Sequence, residues 1–134
     1  DSSTWEAACK GSAGTCTWGY SSNCSHAVNV STYANTCLGS ETSVTCSGGA
    51  AQCATTTGSG SFASCRAVTS GGNVYDMSGN LKEWTFTSPT AGNYELRGGS
   101  YNNLENGRAC DFNFVVGATA SRLPNIGFRC CYYP

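Results

Sequence analysis

Cysteine is the residue of this chain best placed to do chemistry, and ten of them stand within 134 residues. A thiol can bind a soft metal, act as a nucleophile or enter a disulfide, and spacing separates these uses. Zinc sites favour tight Cys-x-x-Cys pairs; none occurs, and Cys130-Cys131 is the only close pair. Cys9, Cys16, Cys24, Cys37, Cys46, Cys53 and Cys65 follow one another at wide, irregular intervals. An even count at such intervals, among abundant Ser, Thr, Gly and Asn, predicts a disulfide framework built in an oxidising compartment. The expected location is extracellular or at the cell surface.

Other reactive residues are scarce. His26 is the lone histidine, set in a Ser- and Asn-rich stretch with no local Ser-His-Asp pattern, and a solvated side chain is expected there. From Tyr101 to Asn125 the residue types change. Asn102, Asn103, Asn106, Asp111 and Asn113 alternate with Tyr101, Phe112 and Phe114. Amides supply adaptable hydrogen bonds and aromatic rings supply rigid contact area, the mixture found in recognition surfaces. Asn23-Cys24-Ser25 and Asn29-Val30-Ser31 match glycosylation sequons. Only 11% of residues are charged and the net charge is -1, so no basic face for nucleic acid or anionic membrane is expected. No apolar run approaches the ~20 residues of a membrane helix, so no membrane insertion is expected. No signal peptide heads the sequence, which reads as a mature form.

The elements that must position these residues fall into three zones within one expected domain, residues 1–134. Thr4 to Lys10 reads as the last turns of a helix, capped by Ser2, Ser3 or Thr4 and stopped by Gly11. Ser12 to Ser70 carries few large apolar residues and cannot build a core of its own, so long loops and short strands pinned by cross-links are expected. Residues 1–70 thus form a cysteine-rich loop region, and residues 71–134 are expected to hold the core. There, Val74 to Met77 and Leu81 to Thr87 flank a turn at Ser78-Gly79-Asn80, with Tyr94 to Arg97 and Gly127 to Tyr133 as further strands.

Three blocks in fixed order carry a resemblance: Tyr75-Asp76-Met77-Ser78-Gly79-Asn80-Leu81-Lys82-Glu83-Trp84, then Arg97-Gly98-Gly99-Ser100-Tyr101, then Gly127-Phe128-Arg129-Cys130. Thr4-Trp5-Glu6-Ala7-Ala8-Cys9-Lys10-Gly11, Thr17-Trp18-Gly19 and Tyr33-Ala34-Asn35 extend it upstream. Together they resemble the formylglycine-generating-enzyme (sulfatase-modifying factor) family. The resemblance implies an α+β, C-type-lectin-like fold, loop-rich, with short strands, little helix and disulfide staples. It also implies that Trp5, Trp18 and Trp84 pack in the framework and that Arg97 and Arg129 pair with carboxylates or carbonyls.

By the same resemblance, one calcium ion is expected among the Asp76 carboxylate, the Gly79 and Leu81 carbonyls and the Glu83 carboxylate, a hard-oxygen set that suits calcium. Cys9 is expected to pair with Cys110, with all ten cysteines oxidised and Cys130 paired differently or with another molecule. The family's oxidase chemistry uses two copper-binding cysteines after the Gly-Gly-Ser-Tyr block. Here those places hold about Asn103 and Arg108, neither a soft ligand, so no copper is expected, and one histidine is too few for the iron sites of related enzymes. In variable proteins of diversity-generating retroelements, which share the fold, the region matching Tyr101–Asn113 carries the binding surface. Family members also have a further N-terminal stretch with the first strand of the sheet, so an incomplete edge is expected here, open to self-association or to another segment. The resulting expectation is a non-catalytic, exported binding or assembly domain with a protein or glycan ligand. The alternatives are a copper-dependent formylglycine-generating oxidase with a rearranged site and a structural subunit of a surface filament.

Overall fold

The computed structural model describes residues 1–12, 14–18, 37, 58–87, 90–117 and 123–130. His26, the sequons at Asn23 and Asn29, and Tyr33-Ala34-Asn35 lie outside the described residues.

Helix α1 spans Ser2–Lys10. Its cap is Asp1, one residue ahead of the expected Ser or Thr: the Asp1 carboxylate accepts from the Thr4 N–H at 2.8 Å. Gly11 ends the helix at a φ of 67°, which an L side chain resists. An added Cβ there would also lie 2.8 Å from the Val68 carbonyl. Lys10 and Glu6 pair one turn apart along the exposed side.

Strands β1 (Arg66–Thr69) and β2 (Gly72–Tyr75) form an antiparallel hairpin. Four strands make a second sheet in the order β5-β4-β3-β6, with β3 Lys82–Trp84, β4 Asn93–Arg97, β5 Asn113–Gly117 and β6 Ile126–Gly127. Its ladder is antiparallel except at β6, which runs parallel to β3. A 3-10 turn, Glu105–Arg108, precedes β5. The Ser78-Gly79-Asn80 turn does not pair its own flanks. β2 before it and β3 after it belong to different sheets, because the Gly79 N–H goes to the Gly98 carbonyl and the Asn80 carbonyl takes the Tyr101 N–H.

β1 is one of the short strands expected in the cysteine-rich region, whereas β5 sits in the stretch read as a binding loop. Both carry a visible signal afterwards, Ala67-Val68-Thr69 before a Gly-Gly turn and Phe114-Val115-Val116. The core is likewise not confined to residues 71–134. Trp5, Cys9, Ala67, Met77 and Cys110 form one buried cluster, and Trp18, Cys37, Cys65 and Ala109 form another. A domain with few large apolar residues fills its interior with sulfur and tryptophan drawn from both regions.

Cross-links join these clusters. Cys9 is bonded to Cys110 and Cys37 to Cys65, with all four buried. Cys16 is also in a disulfide. Cys130 departs from the expectation that every cysteine is oxidised: it is a free thiol, exposed after β6, whereas the five cross-linked cysteines among the described residues sit in the interior.

Candidate functional site

Two neighbouring regions hold the residues that the sequence singles out, one on each face of β3. Alternation along the strand sends Glu83 toward α1 and sends Lys82 and Trp84 to the opposite face.

On the helix side, Glu83 is buried and both its oxygens are taken. Oε2 accepts from the Trp5 indole N–H at 2.7 Å and from Arg129 Nε at 2.8 Å, while Oε1 accepts from Arg129 Nη2 at 2.6 Å. Arg129 also donates to the Tyr75 carbonyl at 2.9 Å, tying the hairpin to the sheet. Asp76 is buried at a φ of 56°, and its Oδ2 accepts from the Gly60 N–H at 2.7 Å. Gly79 is buried, at a φ of 89°, and Leu81 is half-buried beside Gly127. Glu83, one of the expected calcium ligands, is thus paired with the Arg129 guanidinium, and among the described residues no three acidic, His or Cys side chains gather into a group. Arg97 completes this face. It donates to Ser2 Oγ at 2.7 Å and lies 3.6 Å from both Glu6 and Glu95, locking α1 across β4. A pocket of about 250 Å³ opens between α1 and the end of β3, lined by Trp5, Ala8, Met77, Arg129 and the fully exposed Phe86.

On the other side, the Arg97-Gly98-Gly99-Ser100-Tyr101 block turns sharply out of β4. Gly98 and Gly99 have φ of 86° and 62°. An added Cβ at Gly98 would lie 2.9 Å from both the Met77 carbonyl and the Trp5 ring, and one at Gly99 would lie 2.5 Å from the Gly107 carbonyl. Two glycines are therefore required for the backbone to pass, and the turn delivers Ser100 and its successors to one spot.

Ser100 is the hub. Its N–H and hydroxyl meet Asn103 Oδ1 at 2.9 and 2.8 Å, and the hydroxyl also meets Asn102 Oδ1 at 2.7 Å. Asn125, from the approach to β6, donates to Ser100 Oγ at 3.4 Å and to Asn102 Oδ1 at 3.2 Å. Lys82 Nζ donates to the same hydroxyl at 3.2 Å and stands 4.8 Å above the centre of the Phe114 ring. Burial holds the Lys82 ammonium below its ordinary value of 10.5.

Of the expected binding residues, Asn102, Asn106 and Asp111 are exposed and Asn103 is half-buried. Tyr101 is only 7% exposed, and its backbone N–H donates to the Asn80 carbonyl. Asn113 is exposed but donates to Glu95 at 3.1 Å, which commits it to the helix-side face. Strand alternation in the unrecognised β5 separates Asn113 from Phe114. Of the two places where the resembled oxidases carry copper cysteines, Asn103 is bound to Ser100, and Arg108 is buried with Nη1 3.4 Å from the Cys37 carbonyl. Lys82, Ser100 and Asn125 are the members that sequence reasoning missed. The available signal was a lysine alternating with Glu83 and Trp84 in a strand.

A small mixed sheet crossed by one helix, with a glycine turn feeding a long loop beside β5, is the C-type-lectin-like fold in its sulfatase-modifying-factor form. The chain belongs to the family described as "Sulfatase-modifying factor enzyme 1-like domain", whose model matches residues 2–133. Its structure is similar to that of Treponema denticola variable protein 1, with a TM-score of 0.65 and 19% identity over 95% of this chain and 44% of that one. The chain thus spans less than half the length of that neighbour, and the likeness shows the fold. No curated protein matches the chain.

Proposed function

We propose that this domain is a non-catalytic recognition or assembly module that works outside the cell. The observation that carries the reading is the occupancy of the oxidase positions: Asn103 is bound into the Ser100 network and Arg108 is buried against Cys37, so neither offers a soft ligand or a redox thiol. The neighbouring surface supports a contact role. Asn102, Asn106, Leu104 and Phe112 are exposed together along one short stretch, combining amide groups with apolar area. The disulfides support an oxidising compartment, from which an extracellular or cell-surface location follows.

The test is direct. Copper-loaded protein incubated with oxygen and a cysteine-containing sulfatase peptide should form no formylglycine, while a selection for ligands should return binders that Asn102→Ala or Leu104→Ser weakens at least tenfold. Formation of formylglycine at enzymatic rates would overturn the reading.

Self-association is a second reading with its own observation. Phe86 is 94% exposed and Phe128 is exposed next to the edge strand β6, two large rings open to contact. Size-exclusion chromatography should then show an oligomer that Phe86→Ser dissociates.

A further inference from the structure

Lys82 is held in a way the family likeness does not account for. Its ammonium is half-buried, yet no carboxylate lies within ion-pairing reach among the described residues. Other basic side chains of the domain are matched: Lys10 with Glu6, Arg97 with Glu6 and Glu95, and Arg129 with Glu83. A partly desolvated ammonium without a counter-ion costs stability, and its lowered pKa is the sign of that cost.

The surrounding hydrogen bonds fix what the surface offers. The Ser100 backbone N–H can only donate, so the atom of Asn103 facing it is the oxygen and the amide nitrogen points away. The Ser100 hydroxyl has one proton to give to Asn102 or Asn103, and it accepts from Lys82 and Asn125. Asn102 Oδ1 also receives the Asn125 amide. The amide oxygens are thus turned inward onto one another's donors. Left over as donors are the remaining N–H groups of Lys82 and the amide N–H groups of exposed Asn102 and half-buried Asn103, the latter beside Gly107.

The geometry points to a carboxylate-binding seat, formed by Lys82 with the side-chain amides of Asn102 and Asn103, that takes an acidic side chain of a protein partner. It rests on the recognition role proposed above and names the chemistry of the partner. A cation ringed by donors lacks only an acceptor, and a carboxylate supplies two oxygens and the missing charge. A protein is favoured over a sugar acid by the aromatic geometry. One face of Phe114 is covered by the Lys82 ammonium, and Phe112 meets Phe114 edge-on, 4.8 Å between centres at 66°, so Phe114 offers that face to no stacked sugar ring. Leu104, 68% exposed, and Phe112, 41% exposed, instead offer the apolar contact that flanking side chains of a polypeptide would fill.

Amide-resolved NMR titration of the whole protein tests this with three probes: Ac-Leu-Glu-Leu-Glu-NH2, its Gln counterpart, and trigalacturonate. The Glu peptide should shift the resonances of Lys82, Ser100, Asn102, Asn103 and Phe114 and bind at least tenfold more tightly than the Gln peptide. Lys82→Met should remove that preference while Lys82→Arg retains most of it. Asn102→Asp keeps the inward oxygen acceptor but replaces the outward N–H groups with a negative oxygen, and it should weaken the Glu peptide at least tenfold. Equal binding of the Glu and Gln peptides, or a preference undiminished in Lys82→Met, overturns the seat while leaving the recognition surface standing. Tighter binding of trigalacturonate than of the Glu peptide overturns the protein partner. Absence of any shift across residues 100–114 with all three probes overturns the seat together with the recognition role on which it rests.

Discussion

Two side chains one residue apart in β3 do opposite things to stability. Glu83 is buried and accepts three donors, so its removal leaves the Arg129 guanidinium and the Trp5 indole without their acceptor. Glu83→Gln should lower stability by about 2–4 kcal/mol in urea unfolding, reduced from the fully buried case because Arg129 reaches solvent. Because a guanidinium balances Glu83, adding a calcium chelator should leave the melting temperature unchanged; a drop would show that calcium displaces Arg129. Lys82 behaves in the reverse sense. Its folded pKa is lowered by burial, so the folded state sheds this proton before the unfolded state does. Stability from this residue therefore rises with pH across the window between the lowered value and 10.5, and below that window the charge is a net cost. Lys82→Met should match or exceed the melting temperature of the parent at neutral pH and lose that alkaline rise. A large loss of stability in Lys82→Met would show that its contacts to Ser100 and Phe114 hold the fold.

At the scale of elements, the glycine turn after β4 controls whether the Ser100 network exists. Gly98 and Gly99 both occupy positive φ, and each faces backbone carbonyl oxygen at a distance no Cβ tolerates. The conformational cost alone is ~1–2 kcal/mol per residue, and the close approaches add to it, because a carbonyl held in the backbone cannot swing aside as a side chain would. Gly99→Ala should accordingly destabilise more than Gly98→Ala, whose second neighbour is the Trp5 ring. In Gly99→Ala, chemical shifts of Ser100, Asn102 and Asn103 should move even under conditions where the protein remains folded. The same reasoning explains why Arg97-Gly98-Gly99-Ser100 occurs as a block. Arg97 locks the helix to the sheet, and the next three residues turn the chain and carry the hub.

For the molecule as a whole, the cross-links replace a core that this composition cannot supply. The Cys9–Cys110 bond closes a loop of sequence separation 101 and ties α1 to the segment that leads into β5. Replacing both cysteines with serine should cost roughly 4–5 kcal/mol in the chain-entropy account, measured by chemical unfolding against the parent. Under native conditions a thiol reagent should modify Cys130 while Cys9, Cys16, Cys37, Cys65 and Cys110 stay unreactive. Mass spectrometry of the alkylated, unreduced protein reads this directly.

The sequence by itself determined the family, the fold class and the presence of disulfides. Ordered motifs, glycine positions and cysteine spacing are local properties that survive without coordinates. The N-terminal helix, though not its Asp1 cap, the framework role of Trp5 and Trp18, and the pairing of Arg97 and Arg129 with carboxylates were within reach of those motifs. Strand β5 was not, because an Asn-rich run with two phenylalanines reads equally as loop, and only its ladder with β4 shows that Asn113 and Phe114 face opposite ways. The competition for Glu83 was invisible for a similar reason: Arg129 lies 46 residues away, and a one-dimensional motif cannot say whether a carboxylate meets an ion or a guanidinium. Tertiary structure shows the guanidinium contact, and it decided the setting of Lys82, whose meaning depends on Ser100, Phe114 and Asn125 arriving from three other segments.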